Sequence, residues 1–147
     1  MRYTTKTEYG LVCLLYMAKK MPDYVVTIKE IVQTENFSES YIEKIFQTLR
    51  GANIVTSHKG KNGGYALTRQ PSEITLKVVI EALEGHTFDV YCEPETREGI
   101  VCNHFCMCGV RPIWTRTKQM LDQLYDSITL ATLAGSESEV RQKVLVA

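Results

Sequence analysis

Apolar residues recur at helical spacing in three separate stretches near the start of the chain. The first stretch predicts a helix from about Thr5 to Lys20. Two shorter helices follow. Thr27 is the expected N-cap of one, with Glu30 completing a capping box, and Ser38 caps the other, which spans about Ser40 to Gly51. Because the tight turn TENFS joins these two helices, they form a helix-turn-helix candidate. The predicted apolar face of the first helix consists of Tyr9, Val12, Leu15, Tyr16 and Ala18.

A strand–turn–strand pattern follows the helix pair directly. Ile54 to Lys59 has the composition of a strand, the turn GKNGG supplies three glycines and an asparagine, and Tyr65 to Leu67 forms the returning strand. A hairpin placed directly after the second helix of a helix-turn-helix is a wing. The predicted fold class is therefore mainly α with a small β-hairpin, a winged helix-turn-helix.

The rest of the chain predicts two further helices separated by an irregular stretch. A fourth helix is expected from about Leu76 to Leu83, and residues 85–109 show no clear period. A long helix is then expected from about Arg111 to Leu133, with an apolar face, and a short polar tail from Gly135 is expected to fray. The predicted apolar face of the long helix consists of Ile113, Thr117, Met120, Leu121, Leu124 and Ile128.

Length and composition indicate an ordinary globular chain that forms one compact domain or one domain with an appended element. Its 147 residues are 44% hydrophobic and 23% charged, and the formal net charge is zero, so a signal for nucleic acid must be local. No run of about 18 apolar residues is present, and the N-terminus has no apolar core of the secretory type. We therefore expect a cytoplasmic protein whose thiols are reduced.

Basic residues are concentrated in the helix-turn-helix and hairpin. Five lysines and arginines stand against two glutamates between Glu39 and Gln70, whereas the segment around residues 89–98 is acidic. This separation of charge is typical of a protein with one DNA-facing end, although a solvated helix face beside a surface hairpin is the simpler alternative. The expected DNA-contacting residues are Ser38, Ser40, Tyr41, Glu43, Lys44, Gln47 and Arg50 on the third helix, with Lys59 and Lys61 on the wing.

Four of the five cysteines lie within 17 residues, at Cys92, Cys102, Cys106 and Cys108. Their spacing differs from the paired CxxC of a zinc ribbon, and soft thiolates suit an iron–sulfur cluster, zinc or copper(I). Idle thiols and a thiol–disulfide switch remain open as alternatives. His86 and His104 are further possible ligands, but a solvated loop histidine is the more common case. Cys13 is expected to pack as a small apolar residue of the first helix.

Three segments of the chain resemble the Rrf2 family of transcriptional regulators, which includes iron–sulfur and nitric-oxide sensors. They are MRYTTKTEYGL, FSESYIEKIFQTLRGANIV and SHKGKNGGYAL, and the resemblance covers about residues 1–133. It implies a homodimer with two winged heads and crossed long helices. It also implies palindromic DNA sites, with the recognition helix in the major groove and the wing in the minor groove.

The resemblance further implies a cluster held by three cysteines, with 2Fe-2S favoured over 4Fe-4S. Family members commonly separate the last two ligands by five residues, which selects Cys102 and Cys108, together with Cys92. Cys106 is the local rival, the long gap between Cys92 and Cys102 leaves the cluster type open, and zinc stays an alternative. The partner subunit's Glu8 matches an acidic fourth ligand of some members.

The resemblance also bears on DNA recognition. Glu43 matches a recognition-helix glutamate implicated in the choice of DNA site. The family's wing usually carries an arginine where this chain has Lys59, which implies weaker or less selective insertion into the minor groove.

The sequence thus predicts a homodimeric DNA-binding repressor rather than an enzyme, controlled by a cluster that senses iron, redox state or nitric oxide. The alternatives are a zinc- or thiol-disulfide-responsive regulator of the same fold and a small thiol redox enzyme, for which the sequence offers no catalytic base or nucleotide loop. The expected organisation is a DNA-binding domain at 1–84, a cluster-binding loop at 85–110, a dimerisation helix at 111–134 and a flexible tail at 135–147.

Overall fold

The protein is mainly helical and carries one two-stranded antiparallel hairpin. The computed structural model describes residues 3–20, 24–60, 63–89, 102 and 107–145. The helices and strands are α1 (Thr5–Lys19), α2 (Ile28–Glu35), α3 (Glu39–Gly51), β1 (Val55–His58), β2 (Gly64–Leu67), α4 (Leu76–Glu84), α5 (Arg111–Ser127), α6 (Leu130–Leu133) and α7 (Glu137–Leu145), with a 3₁₀ turn at Pro71–Glu73. Within the described ranges, none of the helices combines the length and apolar character needed to cross a bilayer.

Helices α1 to α4 and the hairpin pack around one apolar core, and we call this unit the head. Cys13, Leu14 and Met17 bring α1 into the core. Cys13 is completely buried, which confirms its predicted packing role. The buried face of α1 differs from the predicted apolar face, since Val12, Leu15 and Tyr16 are only partly buried. The core residues of the other elements include Ile31, Ile42, Ile45, Phe46, Leu49, Ile54, Ile74 and Val79.

The two helices of the helix-turn-helix begin differently. Thr27 caps α2 as predicted, because its hydroxyl accepts a hydrogen bond from the backbone N–H of Glu30 at 3.1 Å. The predicted capping box is wrong, since the Glu30 carboxylate instead accepts a hydrogen bond from the hydroxyl of Tyr16 at 2.7 Å. Ser38 occupies the N-cap of α3 without a capping bond from its side chain. Asn36 adopts a left-handed conformation with φ of 56° and allows the turn between the helices.

The hairpin follows α3 in the position of a wing, as predicted. Its strands pair from Val55 opposite Leu67 to His58 opposite Gly64. Val26, which precedes α2, forms an isolated antiparallel β-bridge with Tyr65 of β2. The N–H and C=O of Val26 both form hydrogen bonds with the backbone of Tyr65 at 2.8 Å. Gly64 permits this approach, since a Cβ at that position would collide with the backbone oxygen of Val26.

The long C-terminal helix is shorter than the sequence indicated. It ends at Ser127, and the chain then runs in extended form past Thr75. The N–H of Leu76 bonds the C=O of Ile128 at 2.7 Å, and the N–H of Leu130 bonds the C=O of Ile74 at 2.9 Å. These backbone hydrogen bonds take the place of those that a longer α5 would form, and they bring Leu130 into the core of the head. Helix α7 forms where the sequence indicated an irregular tail.

Candidate nucleic-acid interface and cysteine segment

One face of α3 is exposed and polar, while the opposite face is buried. The exposed positions recur at steps of three and four residues and consist of Ser40, Glu43, Lys44, Gln47 and Arg50. Ile42, Ile45, Phe46 and Leu49 on the other side are completely buried in the core. Burial of that side fixes the rotation of α3 about its axis, and the five polar side chains therefore point away from the head together. We call them the α3 polar face.

Two predicted DNA-contacting residues of α3 are placed differently from this face. Ser38 is exposed at the N-cap, with its hydroxyl 3.2 Å from the hydroxyl of Ser40. Tyr41 is only partly exposed, and its ring packs edge-on against Tyr9 at 5.8 Å between ring centroids. The ring of Tyr41 therefore contributes to the packing of α3 on α1.

The wing is attached to α3 by an aromatic contact. Phe46 of α3 and Tyr65 of β2 have ring centroids 4.5 Å apart. Since Tyr65 also bonds Val26 through its backbone, α3, the wing and the start of α2 share one support. Lys59 is exposed directly after β1. Lys61 lies outside the described residues. The contact of Val26 with the hairpin was not predicted from the sequence. The glycine pair before Tyr65 was the available signal of a close backbone approach.

The start of α1 is fastened to the end of α4. The Glu84 carboxylate accepts hydrogen bonds from the N–H of Thr4 at 2.9 Å, from the Thr4 hydroxyl at 2.7 Å and from the Thr7 hydroxyl at 2.6 Å. Burial works to raise the pKa of Glu84, but these bonds and the nearby Lys6 ammonium outweigh it and lower the pKa below its usual value. Glu8 follows Thr7 and is exposed.

The cysteine segment, residues 92–108, lies in the sequence between α4 and α5. Cys102 and Cys108 are free thiols of intermediate exposure. Cys92, Cys106 and His104 lie outside the described residues, and His86 is exposed. Over the ranges that the structure describes, no group of three or more Cys, His, Asp or Glu side chains is placed to hold a metal ion.

Helix α5 presents a row of apolar side chains to solvent. None of its side chains is fully buried. Ile113 is 61% exposed, Met120 56% and Leu124 41%. These three residues recur on one side of the helix, and two polar contacts on the other side attach α5 to α4 and to the residues that follow α4. Lys77 pairs with Asp126 at 3.2 Å, and the Thr87 hydroxyl bonds Asp122.

Residues 3–136 match the profile of the Rrf2 family, described as an iron-dependent transcriptional regulator. The chain belongs to the Rrf2 family. It is 35% identical to the HTH-type transcriptional regulator CymR of Bacillus subtilis, over 92% of this chain and 91% of CymR. It is 30% identical to the HTH-type transcriptional regulator IscR of Aliivibrio salmonicida, over 97% of this chain and 82% of IscR.

Solved structures of the family share the fold. The structure of CymR of B. subtilis, the global cysteine regulator, superposes with a TM-score of 0.71 at 34% identity, covering 91% of this chain and 96% of CymR. The oxidised form of Staphylococcus aureus CymR gives 0.69 at 28% identity, with coverages of 92% and 98%. T. potens IscR gives 0.68 at 27% identity, with coverages of 89% and 84%.

These similarities confirm the winged-helix fold and the family that the sequence motifs indicated. The protein is a transcriptional regulator that binds DNA, and its relatives are regulators rather than enzymes. The thiol redox enzyme is therefore set aside. Relatives named for cysteine regulation and the IscR regulators both align over nearly the whole chain.

Proposed function

We propose that the protein is a homodimeric repressor whose affinity for palindromic DNA depends on an iron–sulfur cluster held by the cysteine segment. The observation that carries the DNA-binding part is the α3 polar face, exposed beside a wing that shares its support through Phe46 and Tyr65. The protein acts in the cytoplasm under this proposal, in contact with the chromosome.

The α3 polar face enters the major groove. Lys44 and Arg50 are suited to phosphates and guanine, and Gln47 can bond the edge of adenine. Ser38 and Ser40 lie at the start of α3, where backbone N–H groups also favour phosphate. Glu43 opposes phosphate and favours a base that offers a donor, such as cytosine. Lys59 and Lys61 extend the contact into the minor groove.

The apolar side of α5 supplies the contact between two copies. Ile113, Met120 and Leu124 expose large apolar side chains in one row on an otherwise polar helix. Contiguous apolar surface of this kind marks protein interfaces. A second copy of the same helix is the matching partner, because a two-fold axis places the same patch against itself. Two heads related by that axis read a palindrome.

Thiolates of the cysteine segment form the donor set for the cluster. Cys102 and Cys108 are free and lie outside the apolar core, and with Cys92 they give three of the four protein ligands that an iron–sulfur cluster usually takes. Cys106 is the rival for one position. The partner subunit's Glu8 is the fourth ligand, an assignment compatible with the exposure of Glu8. A 2Fe-2S cluster is favoured over 4Fe-4S, and zinc is the alternative metal.

The position of the cysteine segment between two helices allows its state to affect DNA binding. In the sequence the segment lies between α4, which ends at Glu84, and α5, which begins at Arg111. A bound cluster would supply a crosslink that is lost on oxidation or iron depletion. With the crosslink present, the start of α5 is held against α1 of the partner, and the two recognition helices keep a fixed separation. Without it, the two heads sample other separations.

A thiol-based switch without metal is the second candidate. It is favoured by the likeness to the cysteine regulator CymR, for which an oxidised form has been solved. Cys106 and Cys108 are separated by one residue and either can pair with another thiol of the segment after oxidation. In this candidate disulfide formation replaces the cluster as the event that moves α5.

Anaerobic purification followed by assays of iron, acid-labile sulfide and zinc distinguishes these candidates. Iron with sulfide and visible absorption supports the cluster, and its loss in Cys92→Ser, Cys102→Ser or Cys108→Ser, but not in Cys13→Ala, supports the ligand set. Retention in Cys106→Ser excludes the rival ligand. A colourless protein with zinc, or one that stays metal-free after reconstitution with iron and sulfide, overturns the cluster.

DNA binding before and after removal of the metal tests the switch itself. The proposal requires that the two states differ in affinity for a palindromic site, measured at one salt concentration. Equal affinity and equal site preference in both states would contradict it, and would leave the protein a regulator that does not respond through this segment.

A further inference from the structure

Residues 83–88, which we call the junction, comprise the last two residues of α4 and the four residues after it, and they contact both α1 and α5. Its first half is bound to α1. The Lys6 ammonium donates to the C=O of Leu83 at 2.8 Å, and the Glu84 carboxylate accepts the three bonds from Thr4 and Thr7 at the start of α1. Movement of the junction therefore acts directly on the first turn of α1.

The second half of the junction is bound to α5. The Thr87 side chain is only 2% exposed, and its hydroxyl donates to Oδ1 of Asp122, whose other oxygen accepts from Lys118 at 3.2 Å. The ring of Phe88 lies 6.1 Å from that of Trp114, measured between centroids. Trp114 and Asp122 are eight residues apart, about 12 Å along the helix. Two attachments at that separation control the tilt of α5 as well as its position.

The bond between Thr87 and Asp122 behaves as a discrete contact. A buried hydroxyl without a partner is costly, so the junction either keeps this bond or moves far enough for Thr87 to reach water. Two distinct arrangements of this kind are what coupling between sites requires. Both attachments to α5 lie between the cysteine segment and the rest of the head, because the segment begins four residues after Phe88.

We infer that Thr87 and Asp122 are positioning residues that transmit the state of the cysteine segment to α5. The inference rests on the proposed function. In one state of the segment the junction holds Thr87 against Asp122 and fixes the tilt of α5. In the other state the junction shifts, the bond opens, and α5 is released while the junction remains tied to α1 through Glu84.

The experiment compares Thr87→Val with wild type, using anaerobically purified protein and the same protein stripped of metal by a chelator under oxidation. The measured quantity is the ratio of DNA affinities in the two states. We expect a ratio of about tenfold or more in wild type, as for a coupling of 1–3 kcal/mol, and a ratio near one in Thr87→Val. Thr87→Ser, which keeps the hydroxyl, should restore the wild-type ratio. Thr115→Val is the matched control, because Thr115 is an exposed threonine of α5 on the side opposite the row formed by Ile113, Met120 and Leu124.

Amide hydrogen exchange supplies a readout that a merely structural role would not change. In wild type we expect the exchange of α5 peptides to differ between the two states, and in Thr87→Val we expect α5 to exchange at the faster of the two rates in both. If Thr87→Val does not fold, Asp122→Ala removes the same bond from the other side, at a helical position that is 20% exposed, and carries the same expectations.

The outcomes separate this inference from the proposed function. A wild-type affinity ratio of one contradicts the proposed function. A wild-type ratio that differs from one and is preserved in Thr87→Val or Asp122→Ala overturns the inference while the proposed function stands. An equal loss in Thr115→Val also overturns it, because the effect would then belong to α5 in general.

Discussion

Individual side chains of the α3 polar face divide into those that carry charge and those that can identify a base. Lys44 and Arg50 are exposed cations, and Gln47 lies between them on the same face and is neutral. Phosphate neutralisation releases counterions and sets the salt dependence of binding, whereas hydrogen bonds to base edges set the sequence preference. Substitutions on this one face should therefore have different signatures.

Lys44→Ala should weaken binding to all DNA sequences and lower the slope of log affinity against log salt by about 1. Gln47→Ala should leave that slope unchanged and reduce discrimination against an altered base pair by about 1–3 kcal/mol. Titrations of cognate and altered sites at several salt concentrations measure both quantities. Arg141→Ala is the control, since Arg141 pairs with Glu137 on α7. An unchanged slope in Lys44→Ala would contradict this orientation of α3.

Gly64→Ala should lower the free energy of unfolding by about 1–3 kcal/mol, because the added Cβ collides with the backbone oxygen of Val26 and must displace it. Urea unfolding measures the change, and DNA affinity should fall with it, since the wing loses its support. Gly51→Ala is the matched control. A Cβ there meets nothing within 4 Å, and alanine is the better helix former. If Gly64→Ala left the free energy of unfolding unchanged, the bridge between Val26 and Tyr65 would not position the wing.

Whole elements of this fold were largely predictable from sequence, because each carries its own local signal. The apolar period of α3, the cap at Thr27 and the glycines of the hairpin turn all act within a few residues of one another. The Glu30 carboxylate shows where local signals fail. Its spacing from Thr27 suited a capping box. In the folded protein, however, the packing of α1 and α2 places the hydroxyl of Tyr16, fourteen residues earlier, 2.7 Å from the Glu30 carboxylate.

Contacts between elements distant in sequence have no such signal. The bond between Thr87 and Asp122 spans 35 residues, and the bonds from Thr4 and Thr7 to Glu84 span 80 and 77 residues. Threonine and glutamate are common on exposed helices, and their spacing gave no reason to pair them. The end of α5 was missed for the same reason, since the pairing of Thr129 with Thr75 depends on the assembled head.

The attachment of α1 to α4 should weaken in acid. The pKa of Glu84 is lower in the folded protein than its usual value of 4.5. Its contribution to stability is therefore fully present above the pKa of the unfolded chain and is lost as the pH falls through the folded-state pKa. Unfolding by urea at a series of pH values should show stability decreasing in that range, and Glu84→Gln should make the decrease shallower while lowering stability at neutral pH. Glu43→Gln, at an exposed carboxylate, is the control, and an equal effect there would refute the assignment.

At the scale of the whole molecule, the proposed dimer depends on the apolar side of α5. The double substitution Met120→Glu with Leu124→Glu should convert a dimer to a monomer, because two such helices would then bring four added carboxylates together in a desolvated contact. Sedimentation measures the mass, and affinity for a palindrome should fall to that for a half-site. Gln119→Glu adds a charge to another side of the same helix and should stay dimeric. A double variant that remains dimeric would place the interface elsewhere.

The return of the chain to the head after α5 has a consequence for the order in which the protein is made. Leu130 lies within the core of the head, and Ile74 holds the backbone of Leu130 through a hydrogen bond. A ribosome must therefore release all of α5 before that core can close. The head that carries the proposed DNA-contacting surface is therefore fully packed only after the proposed dimerisation helix has been synthesised.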